Sequence, residues 1–350
     1  MPAGILLALV SALLFGLSTP LAKLLLGGAG PWMMAGLLYL GAGLGLALLH
    51  FFRRLRGLIA AEAPLRRADL PWLALVILAG GVAGPLFLMF GLARTSASSA
   101  SLLLNLEGLA TMAVAWIVFH ENTNRRVLTG AFALLAGAVL LSWTGRASLD
   151  PGGLLIACAC LCWGIDNNLT RKLSSADPLQ IAMLKGLFAG AVNLSFALAQ
   201  GAKLPPSGTI LAAGLVGFLG YGISLALFVL ALRLLGAART GAYFSLAPFI
   251  GALLSLPLFR EAPSLKLLAA GLLMAAGLWL HLTERHEHEH AHEEIEHEHR
   301  HVHDTHHQHD HAPGTPKDQP HSHRHRHARL IHRHPHYPDT HHRHRHEHSH

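Results

Sequence analysis

Long apolar runs separated by short polar breaks fill the first 283 residues, and then the pattern stops. A membrane-spanning helix needs about 20 mostly apolar residues. On that criterion the runs predict helices at roughly 3–26, 31–52, 70–93, 97–119, 126–144, 152–171, 178–200, 208–232, 238–259 and 264–283. The breaks fall at Gly27-Gly28, Gly30-Pro31, Asp150-Pro151, Asp177-Pro178 and Pro205-Pro206, residue pairs that end helices. The fold class expected is all-α integral membrane, with about ten transmembrane helices. The first run, Ala3 to Leu26, has no basic segment before it and is longer than a signal-peptide core, so it reads as a retained span.

The halves of this pattern match each other. At an offset of 140, Gly80/Gly220, Phe119/Phe259, Glu121/Glu261 and Gly137/Gly277 coincide, and at an offset of 148 Gly16 meets Gly164 and Lys23 meets Arg171. Five spans per half would insert the second half upside down, the inverted repeat of alternating-access carriers. The chain therefore divides into a first five-helix repeat (1–145), a second (146–285) and a tail (286–350).

Composition sharpens that division. The chain is 52% hydrophobic and 13% charged, and the tail holds 25 of its 28 histidines. The tail is net −3 with neutral histidine, whereas the body carries 19 bases against 9 acids. The basic balance therefore belongs to the loops of a membrane body rather than to a nucleic-acid face, and no nucleic-acid partner is expected. With the N-terminus inside, the inner loops receive eleven bases: Arg53, Arg54, Arg56, Arg66, Arg67, Arg125, Arg126, Arg171, Lys172, Arg233 and Arg239. The outer loops receive about half as many, which predicts cytoplasmic termini and a bacterial-type inner membrane.

The sequences Val118-Phe119-His120-Glu121 and Leu258-Phe259-Arg260-Glu261 each close the fourth helix of a half. Small-residue runs open the same helices, Thr95-Ser-Ala-Ser-Ser-Ala-Ser101 and Gly236-Ala-Ala-Arg-Thr-Gly241. With these motifs the body resembles the EamA-type drug/metabolite transporter superfamily over about residues 3–283. The resemblance implies a ten-helix exporter whose central cavity is lined by helices 1, 3, 4, 6, 8 and 9. The chain departs from the family pattern in one place: the second half has the mid-helix Pro248, and the first half has Glu107-Gly108 instead.

Of the nine acids in the body, only Glu107 and Asp166 lie at bilayer depth. A charged side chain there costs about 2.5–3.5 kcal/mol on insertion scales, so it must face protein or water. Glu107, beside Asn105, suits proton coupling or cation binding, or else a packing hydrogen bond. Asp166 opens the polar stretch Asp166-Asn167-Asn168, and Lys185 lies about as far beyond the next turn as Asp166 lies before it. Antiparallel neighbours would bring the two together, as a structural ion pair or as a gate. The path candidates are thus Glu107, Asn105, Asp166, Asn167 and Lys185, with the matched bases Lys23 and Arg171. Pro20, Pro85, Gly222 and Pro248 are hinge candidates. Cys158, Cys162 and Asp166 share a helical face at spacing four, readable as soft metal ligands but more simply as packing.

The tail alternates histidine with charge, as in His286-Glu-His-Glu-His290, His299-Arg-His-Val-His303 and His321-Ser-His-Arg-His-Arg-His327. Almost without apolar residues, it cannot build a core and is expected to be disordered. Imidazole favours zinc, nickel, copper and cobalt. Candidate ligands are therefore His286, His288, His290, His299, His301, His303, His321, His323, His325 and His327.

These readings converge on a secondary carrier, an exporter of a small metabolite or drug-like solute with a proton as candidate coupling ion. Two alternatives stand beside it: a divalent-metal exporter fed by the tail, and a membrane-anchored metal buffer. His50, His120 and His281 all sit at helix ends, which weighs against the metal exporter. No nucleophile–base pair or phosphate loop appears at matched depth, so no enzyme is expected. No cofactor is required, and the tail is a candidate site for zinc or nickel. The expected partners are a small-molecule solute, the lipid bilayer and divalent metal ions, with a homodimer left open.

Overall fold

The computed structural model describes residues 3–56, 65–119, 125–143, 149–170, 173, 177–235 and 237–283, and in the tail 287–292, 295–301, 321–327 and 330–335. Among the described residues, ten helices are long and apolar enough to cross a membrane. They are α1 (Ala3–Leu26), α2 (Pro31–Leu55), α3 (Arg67–Leu92), α4 (Ala97–Val118), α5 (Arg125–Ser142), α6 (Pro151–Thr170), α7 (Pro178–Ala199), α8 (Ser207–Leu232), α9 (Arg239–Phe259) and α10 (Leu265–Leu282). The expected spans and the observed ones agree to within a few residues.

Lipid supplies no hydrophobic drive between helices, so close backbone approach must supply the packing. Two seams show how. A Cβ on Gly130 would fall 2.7 Å from the Gly277 carbonyl oxygen, and one on Gly277 would fall 2.6 Å from that of Gly130, which seats α5 on α10. A Cβ on Gly16 would fall 2.5 Å from the Ala247 carbonyl, and one on Gly251 2.7 Å from the Gly16 carbonyl, which seats α1 on α9. Large side chains close the remaining space: Met33, Met34, Leu38, Leu88, Met89 and Leu92 are fully buried. Phe132, Leu253, Leu265 and Leu272 point outward and exposed, as a lipid-facing surface requires.

The neighbours exchange when the halves are exchanged. α1 packs on α8 and α9, and α6 packs on α3 and α4. α2 touches α8 as α7 touches α3, while α2 lies along α7, α5 along α10 and α4 against α9.

The interruptions recur as well. Inside α3, Ile77–Ala83 winds as a π-helical segment, and inside α8 so does Phe218–Ile223. α4 breaks into a turn at Leu104 and Asn105, and α9 does so at Ser245 and Leu246. Among the hinge candidates, Pro85 follows the first π segment, Gly222 lies in the second, and Pro248 opens the helix after the α9 turn. Pro20 instead sits in a helix that runs unbroken from Ala3 to Leu26.

In the tail, β1 (Glu287–His292) pairs antiparallel with β4 (Leu330–Pro335), and β2 (Ile295–His301) with β3 (His321–His327). Alternation of period two is a strand pattern, and the register sets Glu289 opposite Arg333, Glu296 opposite Arg326 and Glu298 opposite Arg324.

Candidate functional site

The polar centre is built from α6. Successive helical residues point about 100° apart, so three adjacent polar residues fan out over two neighbouring helices, α7 and α4. Asp166, 3% exposed, pairs with the Lys185 ammonium of α7 and accepts from Thr170 Oγ1 at 3.2 Å. Asn167 turns to α4, its Nδ2 donating to Glu107 Oε1 at 3.1 Å and to Thr111 Oγ1 at 3.1 Å. Asn168 donates to the Thr111 carbonyl at 2.9 Å and to the Gly164 carbonyl at 2.8 Å.

Glu107 owes its position to the break in α4. Short-range bonds tighten the chain there, from Leu104 N to Ser101 O at 3.2 Å and from Asn105 N to Leu102 O at 3.1 Å. The helix then restarts at Leu106, which puts Glu107 in a first turn, where the positive end of the backbone dipole faces it. Glu107 is half-buried, and Asn167 is exposed.

The α3 π segment forms the floor. A π turn frees carbonyls from the i→i−4 ladder, and here side chains claim them. Tyr39 Oη donates to Gly80 O at 2.8 Å, Trp163 Nε1 to the same oxygen at 3.0 Å, and Asn193 Nδ2 to Gly81 O at 3.2 Å. Gly80 itself is required, because a Cβ there would run into the Asp166 carboxyl.

Tyr39 also begins a run of rings through α2, α8, α1 and α9. Its ring centre is 5.7 Å from Tyr221, Tyr221 is 6.0 Å from Phe15, Phe15 is 5.3 Å from Phe244, and Phe244 is 4.8 Å from Phe228. All five rings are half-buried rather than sealed.

Of the predicted path residues, the structure brings Glu107, Asp166, Asn167 and Lys185 together. Asn105 is buried, but its Nδ2 turns back to Leu102 O at 2.9 Å and so serves the helix break. Lys23 stands apart. Its ammonium donates to the Leu92 and Thr95 carbonyls, at 2.6 and 2.5 Å, and so caps the end of α3. Beside it, Glu261 reaches across from the turn between α9 and α10 to the first turn of α4. There it accepts from Ala97 N at 2.9 Å and Ser98 N at 3.3 Å. Arg171 lies outside the described residues, as do His286 and His303.

Sequence reasoning missed Tyr39, Thr111, Trp163 and Asn193. Thr111 stands one turn after Glu107 and Trp163 one turn before Asp166, a spacing that would have shown them on the same faces. Cys158 is exposed and Cys160 is buried against the Leu103 carbonyl. Among the described residues no group of three or more His, Cys, Asp and Glu side chains could hold a metal ion. His281 lies against the Val127 carbonyl at 2.9 Å, on the α5–α10 seam.

Comparison with known proteins gives the same picture twice over. The EamA-like transporter family matches residues 2–143 and again residues 150–283. An uncharacterized transporter of Methanothermobacter thermautotrophicus is 28% identical over 293 residues, covering 79% of this chain and 85% of its own. A crystal structure 22% identical in sequence superimposes with a TM-score of 0.58 over 79% of this chain and 95% of the other, a likeness of fold.

Proposed function

Because the chain belongs to the EamA-like transporter family, we propose that it is an inner-membrane secondary carrier that exports a small metabolite or drug-like solute in exchange for protons. The observation that carries the reading is the cluster of Glu107, Asn167, Asp166 and Lys185, joined across α4, α6 and α7. Membrane-embedded charges face a protein interior or a water path, and they mark substrate and proton routes. Recurrent π segments, recurrent breaks in α4 and α9, and neighbours that exchange with the halves all support an inverted repeat. The loop-charge bias supports cytoplasmic termini. Reporter fusions after Arg67 and Arg126 are expected to read cytoplasmic and one after Lys203 periplasmic, and the reverse pattern overturns the orientation.

Uptake into inverted membrane vesicles, comparing metal ions with amino acids and with cationic drugs, tests the carrier reading itself. Solute-specific, protonophore-sensitive uptake supports it, and no uptake of any class removes it. Glu107→Gln keeps size and hydrogen bonding but removes the titrating proton. Its transport is expected to stop or to lose pH dependence while expression stays normal. Unchanged pH dependence would reduce Glu107 to a packing residue.

The tail favours the metal reading on one observation: its ladders set His299 opposite His323, His301 opposite His321, and His290 opposite His332. Truncation after Arg285 decides the matter. If zinc or nickel tolerance collapses while organic solute flux persists, the tail is a metal device on a solute carrier. If metal flux itself is what the truncated carrier retains, the exported solute is the metal.

A further inference from the structure

Away from the polar centre, the outer surface where α5 meets α10 joins charge to an exposed apolar face. We propose that this surface binds one anionic phospholipid, with its phosphate on Arg125 and Arg126 and its acyl chains along the outer faces of the two helices. The proposal does not rest on the carrier reading.

The helix faces come first. On α5, Arg125, Leu128, Phe132, Leu135 and Val139 recur at spacings of three and four and so share one stripe. All five are exposed, the four apolar ones by 43–73%. On α10, Leu268, Leu272 and Trp279 share another stripe and are equally open. The helices run antiparallel, since Gly130 meets Gly277 and Gly137 meets Ala270. The first turn of α5 and the last turn of α10 therefore stand at one depth. From Leu128 to Val139 the apolar stripe runs about 16 Å at 1.5 Å per residue, the depth of one leaflet in a hydrocarbon core about 30 Å thick.

Where the stripes end, the charge begins. Arg126 Nη2 donates to Thr283 Oγ1 at 2.6 Å, and the guanidinium carbon stands 5.6 Å from the centre of the Trp279 ring. α10 thus holds this guanidinium in place, and the indole sits at the border of apolar surface and charge, as tryptophan does at a membrane interface. The Arg125 side chain beside it makes no bond among the described residues. Neither arginine has an acidic partner among them, and the first turn of α5 contains no acid. Two cations at the positive end of a helix dipole are poorly placed until an anion joins them. The flanking sequence adds Arg285 against Glu121 and Glu284, which leaves the patch net positive.

Guanidinium meets phosphate through paired N–H···O bonds. A zwitterionic headgroup would bring its own ammonium to the same patch, so a net negative lipid is the better match. The end of α2 offers a contrast. Arg53, Arg54 and Arg56 are as basic there and stand beside exposed Phe51 and Phe52. Among the described residues, however, no side-chain bond or ring contact fixes their guanidiniums.

Lipid titration into purified full-length protein in detergent, read by native mass spectrometry, tests the assignment. Phosphatidylglycerol is expected to bind at least about tenfold more tightly than phosphatidylcholine with the same acyl chains, at about fivefold per engaged arginine. Arg125→Gln combined with Arg126→Gln should erase that preference, and Arg54→Gln combined with Arg56→Gln should leave it. The histidine tail is common to all these proteins, so its charges cancel in the comparison. If the α5 double variant does not fold, Arg125→Gln alone, which breaks no described side-chain bond, should cut the preference about fivefold. Inorganic phosphate should not displace the lipid, because it lacks the chains that cover the stripes. Equal binding of the two lipids overturns the assignment. So does a preference that survives the α5 substitutions or falls equally with the α2 pair, and so does displacement by inorganic phosphate.

Discussion

The two π segments occupy equivalent places in α3 and α8, yet they are held in different ways. In Ile77–Ala83 the freed carbonyls of Gly80 and Gly81 accept from Tyr39, Trp163 and Asn193, side chains of three other helices. In Phe218–Ile223 no side chain among the described residues donates to a carbonyl of the segment. Its Tyr221 contributes a ring to the aromatic run, a Cβ on Gly220 would fall 2.6 Å from the Ser18 Cβ, and Gly222, also buried, has its nearest Cβ neighbour at 3.3 Å. The lesson is that one backbone irregularity can serve as a platform or as a joint, and that its side-chain partners decide which. If side-chain donors decide, α3 should be the stiffer segment, which holds the charged centre, and α8 the more mobile one.

The largest test of that contrast removes the charge the platform holds. Asp166→Asn leaves the Lys185 ammonium without its carboxylate, and losing one partner of a buried ion pair costs about 3–5 kcal/mol. Because Lys185 keeps some exposure (its side chain is 20% exposed), the loss should fall toward the low end of that range. A marked drop in thermal midpoint is expected, read by size-exclusion of heated detergent samples. Asp166→Asn combined with Lys185→Met should recover part of it. A single variant as stable as wild type would mean that the pair is solvated and the platform is not built around it.

The glycines give the next comparison. Gly80→Ala drives a methyl into the Asp166 carboxyl, an overpacking of about 1–3 kcal/mol. Gly222→Ala meets only ordinary or slightly tight neighbours and should fold normally. It should still slow transport if α8 bends there. Equal stability losses at the two positions would erase the distinction between platform and joint.

The smallest effect is at Trp163. Trp163→Phe removes one of two donors to Gly80 O and should cost about 0.5–1.5 kcal/mol. Hydrogen exchange is the sharper readout. Amides of 77–83 should exchange more slowly than those of 218–223 in wild type, and Trp163→Phe should narrow the gap.

Much of this molecule is legible in its sequence. Span positions follow from run length alone, because the bilayer demands that length and the Gly and Pro breaks mark its ends. The Asp166–Lys185 pair follows from equal distances to one turn, since antiparallel helices keep depth. The π segments do not follow in the same way. Leu78-Ala-Gly-Gly81 and Gly220-Tyr-Gly222 signal a weak stretch of helix, but the extra residue per turn is stabilised by Tyr39, Trp163 and Asn193, which come from remote helices. The match with Arg171 makes Lys23 a path candidate in the sequence. Matching fixes which residues are equivalent, not what each touches, and the nearest unsatisfied carbonyls claimed its ammonium. Asn105 and Asn167 exchanged importance for a similar reason, since the turn in α4 directs Asn105 back onto its own helix.

The carboxylate of Glu261 has one more consequence, for the order in which the protein is made. It satisfies the leading amides of α4 from 164 residues further along the chain. At synthesis rates of about 5–20 residues per second, those amides wait roughly 8–33 s for their partner. During that interval only water or lipid headgroups can satisfy them, so the first half leaves the ribosome with its fourth helix incompletely capped. The clasp closes when the last hairpin arrives. A first half expressed alone should therefore be a ready target for membrane proteases, and supplying the second half as a separate polypeptide should protect it.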